Sequence, residues 1–294
     1  MRLEGIFVPV LTPFRENGEI DERALRQLID HLLEAGVSGI IPCGSTGESP
    51  YLSQEELRHI VKATVDEVNG KAPVIAGAGT MGTRDTILQT RDALEAGADA
   101  ALVVTPFYFK LSNEEVFKHY AALLEAVDLP ILIYNVPKFT NYSIPPPLIE
   151  RLVAQYSGVV GVKDSSGDIG LMAEIIRLVS GKVSVLTGSG DTILPTLTLG
   201  GKGGIVAIGN VIPEICVGLY KAFKEGRTTE AAKHQMMASF VNKVLIKDHS
   251  QIAALKEATR LRGVEAGVPR QPILPLNEKE RKEVAEALRS VNLI

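Results

Sequence analysis

The chain has 294 residues, of which 45% are hydrophobic, and it carries a formal net charge of −4 at pH 7. This length suits one large domain better than two equal ones, and the acidic balance argues against a general nucleic-acid or membrane-surface binder. Cys43 and Cys216 are far apart in the sequence and form no CxxC pattern, which is typical of a reducing compartment. No apolar run is long enough to cross a bilayer, and Glu4 interrupts the apolar N-terminus, so we expect a cytoplasmic protein without a signal peptide.

Short apolar runs alternate along the chain with segments of helical period, a pattern that predicts parallel βα units. The predicted strands span residues 5–11, 38–43, 73–78, 100–105, 130–136, 159–164, 183–188 and 203–208. Because parallel strands need long crossovers, these consecutive βα units close most simply into a (β/α)8 TIM barrel. An open doubly wound sheet is the alternative, but the sequence lacks a glycine-rich dinucleotide turn after the first strand.

From about residue 229 the strands stop, and helical segments follow at residues 229–246, 250–263 and 277–292. A proline-punctuated loop at residues 269–276 precedes the last of them. We therefore predict a catalytic barrel over residues 1–226 and a C-terminal helical extension over residues 227–294.

Lys163 follows four apolar or small residues in the stretch from Val159 to Asp168, and polar residues end the run directly after it. No other predicted strand carries a cation in its apolar core. A buried ammonium is unfavourable unless it is paired or deprotonated. One alternative is that Lys163 lies past the strand end and reaches solvent. In a (β/α)8 barrel, however, active sites lie at the carboxyl ends of the strands, which favours a functional lysine.

The second predicted strand ends in Gly44-Ser45-Thr46-Gly47-Glu48. The backbone N–H groups of such a turn can converge on an anion, and its hydroxyl groups can relay protons. An ordinary capped turn between a strand and a helix is the alternative.

Aromatic residues end the fourth and fifth strands. Phe107, Tyr108 and Phe109 stand together after the fourth and predict a wall of the site, a subunit contact or simple packing. Tyr134 ends the fifth, either as a core residue with a satisfied hydroxyl or as a proton shuttle.

The seventh and eighth strands end in TGSGD and VAIGN, and their glycines would allow the phosphate binding that many barrels show here. Asp191 at the start of the next helix would repel a phosphate, so we disfavour phosphorylated substrates and pyridoxal phosphate. It either caps that helix or accepts hydrogen bonds from substrate hydroxyls. The histidines lack HxH or HExxH spacing, and we predict neither a metal nor a cofactor.

A buried lysine indicates a specific reaction. The neutral amine of Lys163 could attack a ketone to form an imine, which accepts electrons when a bond to the β-carbon breaks or forms. This is class I aldolase chemistry and needs no metal. Tyr134 and Ser45 fit the proton transfers that it requires, and the Ser45–Thr46 turn could hold the carboxylate of a 2-oxo acid.

Ordered motifs at the strand ends carry a resemblance to a known family. They are GSTGE at 44–48, VTPFY at 104–108, YNVP at 134–137, GVKD at 161–164 and GSGD at 188–191. Over essentially its full length, the chain resembles the dihydrodipicolinate synthase and N-acetylneuraminate lyase family.

The resemblance implies a (β/α)8 barrel with a C-terminal helical extension and a homotetramer built as a dimer of dimers. It implies that Lys163 forms the Schiff base and that Tyr134 shuttles protons. It also implies that Ser45 links Tyr134 to Tyr108, which in many members reaches in from a neighbouring subunit. Including what the resemblance implies, the predicted substrate-binding residues are Thr46, Gly44, Phe139, Gly188, Asp191 and Ile205.

Departures from the family pattern concern the second substrate. Dihydrodipicolinate synthases carry an arginine two residues after the YNVP proline, where it binds a carboxylate, but this chain has Phe139 there, preceded by Lys138. An apolar ring cannot replace a bidentate guanidinium. Phe107 and Gln54 also differ from a lysine-inhibited synthase.

We therefore expect a Schiff-base lyase acting on a small 2-oxo acid and an aldehyde, with pyruvate as product or donor. The main interpretation is an aldolase for a 2-oxo-3-deoxy sugar acid or 4-hydroxy-2-oxoglutarate. The alternatives are dihydrodipicolinate synthase, with Lys138 standing in for the arginine, then N-acetylneuraminate lyase, a sugar-acid hydro-lyase and a non-catalytic barrel.

Overall fold

A computed structural model describes residue 1 and residues 3–294 of the chain. It contains an eight-stranded parallel sheet in the order β2-β1-β8-β7-β6-β5-β4-β3. The strands are β1 (Gly5–Pro9), β2 (Gly39–Ile41), β3 (Ile75–Ala78), β4 (Ala100–Val104), β5 (Ile131–Asn135), β6 (Val159–Asp164), β7 (Ser184–Thr187) and β8 (Gly203–Ile205). A parallel bridge between Ile40 and Val74 brings the two ends of the sheet together. The predicted (β/α)8 barrel is therefore confirmed.

Helices alternate with the strands and surround them. They are α1 (Glu22–Glu34), α2 (Gln54–Val68), α3 (Thr83–Glu95), α4 (Asn113–Ala126), α5 (Pro137–Thr140), α6 (Pro146–Gln155), α7 (Ile169–Val179), α8 (Ile193–Thr198), α9 (Pro213–Lys224), α10 (Thr228–Asn242), α11 (Gln251–Leu261) and α12 (Glu278–Ser290). Ser53, Ser112 and Asn277 form capping boxes at the starts of α2, α4 and α12, because each is followed three residues later by a glutamate. In the part of the chain that is described, no helix combines the length and apolar character needed to cross a membrane.

Two predicted helices differ from the observed ones. The helix predicted to start at Asp191 begins instead with a 3-10 turn, Gly190–Thr192, before α8. The segment predicted at 229–246 stops being α-helical after Asn242 and continues as a π-helical stretch, Lys243–Asp248, here called the π turn.

Alternation along the strands separates two apolar cores. Ile131 and Ile133 of β5 pack outward against the helices, whereas Leu132 and Tyr134 of the same strand pack inside the barrel. Since successive strand residues point to opposite faces, the inner face of each strand leads to the mouth of the barrel at its carboxyl end.

One close approach between strands requires glycine. Gly203 of β8 lies beside Gly5 of β1 with a φ of +142°, and a Cβ atom there would lie 1.8 Å from the Gly5 carbonyl oxygen. A side chain at this position would separate the two strands, so glycine allows the barrel to close here.

The helices after residue 227 pack on the barrel as the extension. α10 contacts α9 and the turn that carries Asp191, and α11 contacts the segment that follows β8. The extension therefore lies beside the carboxyl ends of the strands, where barrel enzymes build their active sites.

Candidate active site

Lys163 and Tyr134 face each other inside the barrel. They are direct register partners on β6 and β5, so their side chains lie on the same face of the sheet. The Lys163 Nζ atom is 4.1 Å from the centroid of the Tyr134 ring, and each residue is only 5% exposed. The alternative in which Lys163 reaches solvent is therefore wrong, and the structure brings the two residues together.

The amine of Lys163 has no salt-bridge partner among the described residues. The adjacent carboxyl group of Asp164 instead accepts hydrogen bonds of 2.6 Å from Asn135 Nδ2 and from Ser166 Oγ. Burial raises the pKa of Asp164, although these two hydrogen bonds oppose the rise. The neighbouring carboxyl group is therefore occupied by Asn135 and Ser166, and no ion pair with a described residue holds the Lys163 amine away from a substrate.

Gly188 leaves room for the lysine side chain. A Cβ atom on Gly188 would lie 3.0 Å from Lys163 Cε and 1.7 Å from Ser165 Oγ. The glycine is therefore needed for space, because any side chain there would push Lys163 or Ser165 out of place.

A cavity of about 520 Å³ opens at the carboxyl ends of the strands, and most of the predicted site residues lie around it. Eight of the predicted residues line it, namely Ser45, Thr46, Tyr134, Phe139, Lys163, Gly188, Asp191 and Ile205. Gly44 instead precedes the Ser45 turn in an extended conformation. The size suits a small organic acid.

Ser45, Thr46 and Gly47 form a 3-10 turn shortly after β2. The first N–H groups of such a turn have no partner within it, so they are available to an anion. Glu48 ends the turn with a left-handed φ of +60°. The backbone conformation of the turn therefore contributes to this part of the site, together with the hydroxyl groups of Ser45 and Thr46.

A buried ion pair attaches this turn to the extension. Lys256 Nζ of α11 lies 2.7 Å from Glu48 Oε1, and the two side chains are 2% and 0% exposed. Lys256 also donates to the carbonyl oxygens of Thr12 and Val268, and the backbone N–H of Arg270 donates to Glu48 Oε2. Burial lowers the pKa of Lys256 to about 8, against the opposing effect of Glu48. The predictions did not include this pair, because Lys256 is far away in the sequence.

Asp191 lies at the cavity and binds side chains. Its carboxylate accepts hydrogen bonds from Ser189 Oγ at 2.7 Å, from Asn242 Nδ2 and from Lys247 Nζ. Burial raises the pKa of this carboxyl group, but the bonds from Lys247 and Ser189 outweigh it, so that its pKa is lowered. α8 has no side-chain N-cap, so the capping alternative for Asp191 is wrong.

Phe139 and Lys138 lie at the rim. Phe139 is 46% exposed, and Lys138 Nζ lies 5.4 Å from the centroid of its ring. Lys138 also donates to Gln251 Oε1 at 3.3 Å. The rim therefore presents an apolar ring beside an ammonium group whose partner is a neutral amide.

Tyr108 does not reach the cavity of its own chain. It is 83% exposed, has a φ of +90° and packs edge-on against Phe109 at 5.1 Å between ring centroids. The implied link from Ser45 to Tyr108 is therefore not made within one chain, and its formation across a subunit contact stays a prediction.

Several cavity residues were not predicted. Ser165 and Ser166 follow Lys163 directly, and their position after a strand was the available signal. Asn242, Lys247 and Gln251 come from the extension, where a helical pattern gives no indication of which face meets the barrel.

The family model described as the dihydrodipicolinate synthetase family matches residues 2–291. The chain belongs to this family. It is similar to the 4-hydroxy-tetrahydrodipicolinate synthase of Syntrophus aciditrophicus, with 41% identity over 292 residues and 99% of each chain covered. It is also similar to that of Nitratidesulfovibrio vulgaris strain DP4, with 36% identity over 294 residues and 100% of each chain covered.

Solved structures of the family have the same fold as this chain. YagE, a prophage protein of the dihydrodipicolinic acid synthase family from E. coli K12 solved with pyruvate, has a TM-score of 0.96, 32% identity and 99% of each chain covered. The dihydrodipicolinate synthase of Aquifex aeolicus has a TM-score of 0.94, also with 32% identity and 99% coverage of each chain. The predicted family and its class, the Schiff-base-forming lyases and aldolases, are thus confirmed.

Proposed function

We propose that this enzyme condenses pyruvate with aspartate semialdehyde, the reaction of a 4-hydroxy-tetrahydrodipicolinate synthase. The supporting observation is a buried Lys163 amine beside Tyr134, in a chain whose whole length matches synthases of that name. The sequence alone favoured an aldolase for a 2-oxo-3-deoxy acid, but the relatives favour the synthase, which the sequence analysis gave as an alternative.

In the first step, the neutral amine of Lys163 attacks the keto carbon of pyruvate. The carbinolamine that forms then loses its hydroxyl group as water and becomes an imine. Tyr134 is the register partner of Lys163 on β5, and we assign it the transfer of protons to and from the carbinolamine oxygen. The 3-10 turn at Ser45 and Thr46 holds the pyruvate carboxylate through its free N–H groups and hydroxyls.

In the second step, loss of a proton from the methyl group converts the imine into an enamine. Its carbon attacks the aldehyde of the second substrate, and the new alkoxide takes up a proton. The amine of aspartate semialdehyde then attacks the imine carbon, closes the ring and releases Lys163. One water molecule leaves overall, so the enzyme is regenerated without a redox partner.

Lys138 supports the synthase reaction through its charge. The acceptor aldehyde brings a carboxylate, and the neutral amide of Gln251 leaves the charge of Lys138 at the rim uncompensated. An ammonium there attracts a carboxylate, although as a point charge and without the paired geometry of arginine.

An aldolase for a 2-oxo-3-deoxy sugar acid or for 4-hydroxy-2-oxoglutarate is the second candidate. Phe139 favours it, because an exposed apolar ring stands where synthases of the family carry their carboxylate-binding arginine. The same lysine and tyrosine would then release pyruvate from a longer 2-oxo acid.

We further propose a homotetramer in which Tyr108 completes the site of a neighbouring subunit. A tyrosine that is largely exposed and held at a positive φ is costly for one isolated chain, by about 1–3 kcal/mol for the backbone alone. Such strain is often found at functional positions.

Two measurements test the proposed function. Borohydride reduction in the presence of pyruvate should add a pyruvyl group to Lys163, detected by peptide mass spectrometry, and Lys163→Met should gain none. Condensation assays should then give a higher kcat/KM with aspartate semialdehyde than with glyceraldehyde or glyoxylate. An adduct on another lysine refutes the assignment of Lys163, whereas a preference for one of the other aldehydes establishes the aldolase.

A further inference from the structure

The π turn lies where the extension passes the cavity. Asn242, Ile246 and Lys247 all line the cavity, although they stand within one helical segment. In an α-helix, residues five positions apart point about 140° away from each other, because each residue advances by about 100°. In a π-helix the hydrogen bonds join residues i and i+5, which brings residues five apart onto one face. The π turn therefore directs Asn242 and Lys247 to the same place.

Contacts on both sides of the π turn show this register. On the cavity side, Asn242 Nδ2 and Lys247 Nζ both donate to the carboxylate of Asp191. On the exposed side, Lys243 and Asp248, also five apart, form an ion pair of 2.5 Å. Short π-helical stretches inside helices are rare and often occur at functional sites. Here the stretch positions one ammonium group at the mouth of the cavity.

Although Asp191 already pairs with Lys247, the ammonium keeps N–H donors that an anion in the cavity can accept. Lys163 is consumed as the imine, and the Ser45–Thr46 turn is assigned to pyruvate. An ammonium has three N–H donors, and Asp191 accepts from only one of those of Lys247. Lys138 at the rim attracts the incoming carboxylate by its charge, but among the described residues it donates only to the neutral amide of Gln251 and has no carboxylate partner that would fix its position. An ammonium that is already held in place loses less conformational entropy when it binds.

We propose that Lys247 binds the carboxylate of the acceptor aldehyde and so determines which aldehydes the enzyme accepts. Asp191, which also accepts a hydrogen bond from Asn242, holds Lys247 in position. The inference rests on the proposed function, since it assigns the end of the acceptor that does not react. It extends the site from the barrel into the C-terminal extension.

The test uses enzyme whose pyruvyl imine has been reduced by borohydride, because this adduct is stable and leaves only the acceptor position open. Isothermal titration then measures the binding of 4-hydroxybutyrate, an unreactive analogue that carries the carboxylate, and of glycerol, which carries no charge. In Lys247→Met the affinity for 4-hydroxybutyrate should fall about tenfold or more, as expected when a charge-assisted hydrogen bond is lost. Lys247→Arg should retain most of the wild-type affinity for 4-hydroxybutyrate. The response to glycerol should be the same in the wild type and in both variants.

Lys243→Met is the matched control, because Lys243 lies on the same π turn but pairs with Asp248 outside the cavity. Its affinity for 4-hydroxybutyrate should equal that of the wild type. The inference would be overturned if Lys247→Met bound 4-hydroxybutyrate as tightly as the wild type, or if Lys243→Met lost as much affinity as Lys247→Met. It would also be overturned if the reduced wild type did not bind 4-hydroxybutyrate. Failure of the unreduced enzyme to condense aspartate semialdehyde would instead refute the proposed synthase, because the binding comparison does not depend on that reaction.

Discussion

At the scale of single residues, the proposed chemistry depends on two side chains from adjacent strands. Lys163 and Tyr134 are register partners, so the rigid barrel sets their separation and no loop has to move to bring them together. This placement suits a reaction that needs one nucleophile and one proton donor within hydrogen-bond reach.

Tyr134→Phe should leave the fold intact and slow imine formation with pyruvate by roughly 100-fold to 10,000-fold, the usual contribution of a general acid or base. Stopped borohydride trapping followed by mass spectrometry measures the rate. Tyr156→Phe is the control, because the Tyr156 hydroxyl donates to Glu125 Oε1 at an exposed position outside the cavity. The control should keep its trapping rate, and comparable trapping by both variants would contradict the role of Tyr134.

Gly188→Ala tests the space around the lysine. The added methyl group would overlap Ser165 Oγ and press on Lys163 Cε, so we expect the pyruvyl adduct to be lost while circular dichroism stays that of the wild type. Gly82→Ala, whose Cβ would meet its nearest atom at 3.6 Å, should trap pyruvate normally. Normal trapping by Gly188→Ala would show that the pocket tolerates a larger side chain.

At the scale of elements, the buried pair of Glu48 and Lys256 joins the extension to the turn that carries Ser45. Removing one partner leaves the other charge buried and unpaired, so Glu48→Gln should lower the free energy of unfolding by about 3–5 kcal/mol. Chemical denaturation measures the loss. The double variant Glu48→Gln with Lys256→Met should lose less than the sum of the two single variants, and simple additivity would contradict direct coupling.

The same lysine predicts a dependence on pH. The pKa of Lys256 is lowered to about 8 by burial, whereas an unfolded lysine titrates near 10.4. Between these values the unfolded chain binds more protons, so the free energy of unfolding should rise with pH in this window, by up to roughly 3 kcal/mol. The difference between wild type and Lys256→Met isolates this effect from other groups. A difference that is constant from pH 8 to 10.5 would contradict the lowered pKa.

Element boundaries show where sequence patterns reach their limit. The predicted second strand, 38–43, shortens to Gly39–Ile41 because the chain leaves the sheet to form the turn at the mouth. The predicted helix at 229–246 runs into the π turn, since apolar spacing does not reveal a change in hydrogen bonding. Both deviations occur beside the cavity, where local preference yields to the geometry of the site.

At the scale of the whole molecule, the position of Tyr108 predicts an assembly. If Tyr108 acts on a neighbouring subunit, Lys163→Met and Tyr108→Phe chains are each nearly inactive alone but form one intact site when they assemble together. Co-refolding equal amounts should restore about a quarter of the wild-type activity, because half of the random pairs are mixed and each has one working site. No recovery in mixtures that are shown to contain hybrids would place Tyr108 within its own subunit or outside the reaction.

The amino-acid pattern alone was enough to predict the eight βα units, the lysine in an apolar strand and the residues that follow each strand end. These features follow from local periodicity and from the rule that carboxyl ends of parallel strands share one edge. The pattern did not reveal that Lys163 lies against Tyr134, that Tyr108 points away from the cavity of its own chain or that Lys247 lines this cavity. Those outcomes depend on strand register and on the packing of distant helices, which are set by contacts between residues far apart in the sequence.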